Sequence, residues 1–209
     1  MRERVTTPAA ELPVTLAEIK EYLRITTATQ DALLNSLLIT ATRLAEQWTK
    51  RTFVDTTFTG YLDMCSFGTQ WWDGVRDGSR SELNYTRVIN LPRLPLSSVT
   101  EINTYSQADV SAIYTATHYR VDTSDQDMPG RIVLKEGSSW PADLRNSNAI
   151  EVVWVAGYGS AADVPQPLKE AIKMLVSFMY VNRGDGCGEA CVKESGANCI
   201  LETYRDLTI

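Results

Sequence analysis

Histidine is almost missing from these 209 residues: there is one, His118. Ser-His-Asp catalysis would have to be built on it. His118 lies in "TATHYRVD", a strand-like setting, and no nucleophile elbow G-x-S-x-G occurs anywhere. The expectation is a half-buried strand residue, not a catalytic base. Cysteine is also scarce, with Cys65 far upstream and Cys187, Cys191 and Cys199 spaced C-x3-C-x7-C near the end. A structural zinc site takes four ligands, usually in C-x2-C or H-x3-H pairs, so no metal is expected. Basic residues are outnumbered, 20 Lys and Arg against 26 Asp and Glu, for a net charge of -6. That argues against a surface built to grip nucleic acid, which needs a clustered basic footprint, and leaves room for an acidic wall past which DNA slides. The opening "MRERVTTPAAELP" has no apolar stretch after its arginines, and the longest apolar helix candidate, Leu168–Val181, contains Lys169, Glu170 and Lys173. Neither a secretory signal nor a membrane span is expected, which puts the chain in cytosol-like surroundings where thiols stay reduced.

What is present is strong periodicity. In "PVTLAEIKEYLRI", Thr15 and Glu18 form a capping box, Val14 and Ile19 occupy hydrophobic-staple positions, and Leu16, Ile19 and Leu23 make a short apolar stripe. The stretch "TQDALLNSLLITATRLAEQWTKR" repeats its apolar residues at helical spacing from Leu33 to Trp48. Thr29 is the expected cap, Asp31 suits the positive end of the helix dipole, and Lys50 and Arg51 suit the negative end. A third helix is expected from about Pro165, with Leu168, Ala171, Ile172, Leu175, Val176 and Met179 on one face and Gly184 as its stop.

Between these helices the period falls to two. Val54, Thr56, Phe58, Gly60, Leu62 and Met64 alternate with polar residues from Phe53 onward. Further strands are expected at Arg87–Leu91, Val99–Tyr105, His118–Val121, Arg131–Lys135 and Ile150–Val155, separated by turn-forming clusters. Many short strands without alternating helices predict an antiparallel sheet or small sandwich. Asp122, Asp125 and Asp127 read as a solvated turn, because their spacing lacks the glycine and terminal glutamate of a calcium loop. The long loop around residues 65–85 carries Trp71 and Trp72, which either dock a partner or fold back onto the domain.

One motif resembles chemistry. Gly157, Gly159 and Ala162 fit G-x-G-x-x-A, the form of a dinucleotide-binding turn. Such a turn must open directly into a helix and be followed by a second parallel strand with an acidic residue about 20 positions on. Here the helix starts only near Pro165, and the required acidic position is mid-helix. The glycines are therefore expected to let the chain leave the sheet and turn toward the helix. No catalytic residue and no cofactor site are expected.

The order of these pieces is itself informative. "VTLAEIKEYLRI" and "DALLNSLLITATRLAEQWTKR" precede "LPRLPLSSVTEI", "YRVD", "GRIVLKEGSSWP" and "IEVVWVAGYG", and then come "VPQPLKEAIKMLVSFMYVNR" and a final "LETYR". From about Val14 to Arg183 this resembles the head–tail connector (adaptor) proteins of long-tailed bacteriophages. Residues Gly186–Cys199 and the tryptophan loop have no counterpart in that pattern. The resemblance implies an α+β adaptor domain over residues 1–209: about 14–52 helical, 53–156 β, 164–184 a helix packed with the first two, and 185–209 an extended C-terminal tail. It implies a non-enzymatic virion protein, a ring of usually twelve copies docked on the portal, extending the DNA channel without sequence-specific contact and meeting tail or neck proteins. Its place would be the head–tail junction, after assembly in the host cytoplasm. Ile200, Leu201, Tyr204, Arg205 and Ile209 are the implied partner contacts, with Trp71 and Trp72 as further interface candidates; the tail residues otherwise cap the protein's own helices. The competing readings are another neck component, such as a stopper or tail-completion protein, a nucleotide-dependent enzyme using Gly157–Ala162, or a binding module using the paired tryptophans.

Overall fold

The structure, a computed structural model, describes residues 1–63, 87–183 and 189–205. It divides into two compact units, Met1–Pro8 with Thr56–Ala156, and Ala9–Asp55 with Gly157–Ile209.

The second of these is helical. Helix α1 spans Leu16–Leu23 and begins on the capping box: Glu18 N–H donates to Thr15 Oγ1 (3.3 Å) and Thr15 N–H to Glu18 Oε2 (2.7 Å). These bonds to its charged form hold the Glu18 carboxyl below its usual pKa. The staple residues Val14 and Ile19 are both fully buried. Helix α2, Asp31–Thr49, buries Leu34, Leu38, Ala41 and Ala45. It starts without the expected cap, because Gln30 is the N-cap residue and the Thr29 hydroxyl is within 3.2 Å of Thr27 Oγ1. Lys20 instead pairs with Asp31 across the α1–α2 connection at 2.8 Å. Helix α3, Gln166–Val181, supplies Leu168, Ala171, Ile172, Leu175, Val176 and Met179 to the same core. It ends at Asn182, before the expected glycine stop, which lies outside the described residues.

The described part of the expected extended tail is folded. Glu189–Glu194 forms α4, Asn198–Leu201 forms α5, and Glu202–Tyr204 adds a 3-10 turn. Cys191, Val192, Ala197 and Leu201 are buried in the core made by α2 and α3. Apolar burial outweighs the glycine-rich composition that suggested a loose tail.

The other unit holds two antiparallel sheets around one core. The first has the order β1-β2-β8-β4-β5, with β1 Arg2–Thr7, β2 Thr56–Leu62, β4 Leu96–Tyr105, β5 Ser111–Ile113 and β8 Ile150–Ala156. The second has the order β3-β7-β6, with β3 Val88–Asn90, β6 Tyr119–Asp122 and β7 Arg131–Leu134. Their shared core includes Phe58, Ile89, Ile102, Ile132, Val152 and Trp154. Phe58 and Trp154 are register partners on β2 and β8, and their rings stack at 5.7 Å.

Phe53 and Val54, expected to open the β2 strand, pack in the helical core instead, and β2 begins at Thr56. His118 is exposed in the turn before β6, not half-buried in a strand, with its ring 5.2 Å from that of Tyr114. Strand β1 has no counterpart in the sequence-based expectation, since "RERVTT" has no buried side to produce an apolar alternation.

Candidate functional site

Three sequence features far apart in the chain converge at the end of α2. Lys50 takes a left-handed conformation (φ 56°) and terminates the helix. Thr49 Oγ1 donates to Ala45 carbonyl (2.8 Å) and accepts from Arg51 N–H (3.3 Å), which turns the next side chain inward. Arg51 is consequently 3% exposed. Its Nε donates to the Tyr204 carbonyl at 2.6 Å, and its Nη1 to the Tyr158 hydroxyl at 3.0 Å. One guanidinium thus holds the C-terminal turn and the glycine bend to the end of a helix. Its planar fork suits this, because several donors leave in fixed directions from one buried charge. Periodicity assigned Arg51 to the helix dipole; nothing local in sequence marks it as an anchor.

The bend itself is built on tight approach. Gly157 (φ 148°) leaves so little room that an added Cβ would lie 2.5 Å from the Asp55 nitrogen. Gly159 (φ 115°) would bring one to 2.8 Å from Asp163 Oδ2. The backbone amides that a phosphate would need are already used by the chain's own carboxylates. Gly159 N–H donates to Asp55 (3.1 Å), Ser160 N–H to Asp163 (3.0 Å) and Ala161 N–H to Glu11 (2.6 Å). Asp163 also accepts from the Ser160 hydroxyl at 2.6 Å, and these hydrogen bonds lower its pKa. An anion entering here would displace three carboxylates and then face them, so the fingerprint is filled from within.

The expected interface residues have different surroundings. Leu201 is fully buried in the core of its own unit. Ile200 and Tyr204 are half-buried against that core, and Arg205 is exposed with its guanidinium 5.3 Å from the Trp48 ring. A basic residue thus stacks on an aromatic one at the end of the described C-terminal segment. Ile209, Trp71 and Trp72 lie outside the described residues. So do Cys65 and Cys187; Cys191 is buried and Cys199 exposed. Among the described residues no three His, Cys, Asp or Glu side chains are grouped to hold a metal, and no helix is long and apolar enough to cross a membrane.

The sheet unit carries a second ordered surface cluster. Glu151 on β8 accepts from Tyr61 (2.8 Å) through one oxygen and from Tyr105 (2.6 Å) through the other. Arg145 stacks on the Tyr105 ring at 4.2 Å. The bond to Glu151 pushes the Tyr105 phenol up to about 12, because losing its proton would set two anions side by side.

A family model described as "Phage gp6-like head-tail connector protein" matches residues 13–205. None of the curated proteins matches. Among solved structures, a chain from the neck of an empty GTA particle, computed with C6 symmetry, is 23% identical with a TM-score of 0.75, over 100% of this chain and 97% of that one. A chain from the neck of the native GTA particle, computed with C12 symmetry, is 23% identical with a TM-score of 0.73 over the same shares. A chain from the virion of the native gene transfer agent particle is 21% identical with a TM-score of 0.73, again over 100% and 97%.

Proposed function

The chain belongs to the phage gp6-like head-tail connector family, and from that premise we propose that it is the adaptor of a phage-like particle. Copies of it form a ring beneath the portal, extend the DNA channel and receive the next neck or tail protein. The observation that carries this reading is the family match across residues 13–205, which spans both helical segments and the sheet region between them. A similar fold in a neck computed with C12 symmetry supports a ring of twelve. The protein acts by shape and does no catalysis. It works at the head–tail junction, after assembling in the host cytoplasm, and its two compact units act as one adaptor domain.

The C-terminal segment is the portal-side contact in this proposal. Leu201 and the Arg51 anchor hold its base, while Ile200, Tyr204, Arg205 and Ile209 meet the partner, with Trp71 and Trp72 as further interface candidates. DNA passes without being held, in keeping with the net charge of -6.

Electron microscopy of the full-length protein mixed with portal rings from the same particle tests this. The expected image is a second ring seated on one end of the portal. A protein that stays monomeric and ignores the portal at every concentration overturns the proposal. Attachment only to a portal already bearing another adaptor ring assigns the chain to a stopper or tail-completion role instead.

A further inference from the structure

The five-stranded sheet ends in two strands of opposite character. At one edge, β1 carries Arg2, Glu3 and Arg4. At the other, β5 is Ser111-Ala112-Ile113, with neither charge nor proline, and Val110 and Ile113 are 63% and 68% exposed. Charged residues are the usual protection of an open edge against pairing; β5 has none.

The register shows what shares a face. Arg2 pairs with Tyr61, Tyr61 with Glu151, Glu151 with Asn103 and Asn103 with Ile113, so one row crosses all five strands. In the adjacent row Arg4, Thr59, Val153 and Glu101 follow one another. On this face the β1 edge therefore presents Arg2 and Arg4. The β5 side presents Ile113 with Glu101, and the turn leading into β5 carries Asp109, whose side chain is 78% exposed beside Arg145. The arginines of the β1 edge are complementary in charge to Glu101 beside the β5 edge, Asp109 being already paired with Arg145 at 3.0 Å, and the two edges differ, as a head-to-tail contact requires. Each neighbouring pair in the sheet is antiparallel, so the first and fifth strands run in the same direction. A neighbour related by a small rotation, as in a ring of many copies, presents its β1 parallel to β5.

We propose that β1 of one copy adds to the β5 edge of the next, continuing the sheet from subunit to subunit, with Arg2 and Arg4 of the incoming strand set against Glu101 and Ile113. This rests on the ring reading above and names the surface that closes the ring. Main-chain hydrogen bonds supply the pairing, and the charge pattern sets which edge meets which.

Paired cysteine substitutions in the full-length protein test it. Arg2→Cys or Arg4→Cys is combined with Ser111→Cys or Ile113→Cys, and assembled samples are oxidised alongside each single variant. At least one combination is expected to give a ladder of covalent multimers absent from the single variants, which report any background from the native thiols. Ile113→Lys is expected to weaken self-association at least tenfold, while Ile39→Lys, at a helix position 45% exposed, leaves it unchanged. Rings that assemble normally but yield no ladder from any combination overturn this interface and leave the ring intact. So does loss of portal binding alone in Ile113→Lys, which would give the edge to another partner, or a ladder that stops at the dimer. A wild-type chain that forms no ring, with or without portal, overturns the adaptor reading itself.

Discussion

Arg51 and Glu151 act alike as buried or half-buried charges whose partners come from distant parts of the chain. Replacing Arg51 with Met keeps much of its volume and leaves the Tyr204 carbonyl and Tyr158 hydroxyl without their donor. The expected loss is about 2–4 kcal/mol by denaturant titration, with faster amide exchange across residues 198–205 than in α1. Arg51→Lys recovers only part of this, because an ammonium lacks the fork geometry. At Glu151 the readout is optical. Tyrosine absorbance followed to high pH is expected to show Tyr105 ionising at about 12, and Glu151→Gln to return it toward the ordinary tyrosine value. A phenol whose pKa is raised on folding contributes stability that is complete below about pH 10 and is lost as pH climbs through the folded value. A Tyr105 that titrates normally in the unaltered protein would remove the hydrogen-bonded pair from this account.

Secondary-structure elements were legible wherever their signals are local. The Thr15–Glu18 box and the apolar spacing of α2 and α3 need only a few adjacent residues, and the structure has each of them. Thr15→Ala is expected to cost about 1 kcal/mol, measured by thermal or denaturant unfolding. The hairpin of β6 and β7 is closed by Asp122, which accepts from Ser124 (2.6 Å) and Arg131 (2.9 Å), and these bonds to its charged form lower its pKa to about 2. Its contribution is therefore present above about pH 4 and drains away as pH falls toward the folded pKa; an NMR pH titration of Asp122 checks the value. The bend after β8 is less forgiving. Gly157→Ala forces a Cβ against the Asp55 backbone at a positive φ, and a loss of about 3 kcal/mol is expected. Stability unchanged by that substitution would show that the bend relaxes easily. Elements whose evidence is not local were missed. Strand β1 exists because β2 offers it an open edge, and α4 and α5 because a helical core had room for Cys191, Val192 and Leu201.

At the scale of the whole molecule, both compact units are discontinuous in sequence: residues 1–8 join 56–156, and 9–55 join the chain from 157 onward. The proposed ring would gain stability by mass action, since each contact binds only the folded form. The midpoint of thermal unfolding is accordingly expected to rise with protein concentration and with added portal; calorimetry at several concentrations checks this, and a constant midpoint would indicate a protein that works as single copies. By itself the sequence determined the three main helices, most strands, the antiparallel character of the sheets and the kinship with head–tail connectors, because periodicity, capping and the order of elements are written in neighbouring residues. Only the tertiary structure decided that the glycine turn is occupied by Asp55, Asp163 and Glu11, that Arg51 ties the C-terminal turn in place, and that β1 and β5 are the edge strands of the five-stranded sheet. Those facts depend on residues up to about 150 positions apart, and no local pattern records which distant carboxylate or carbonyl an amide or guanidinium will find once the chain has closed around its two cores.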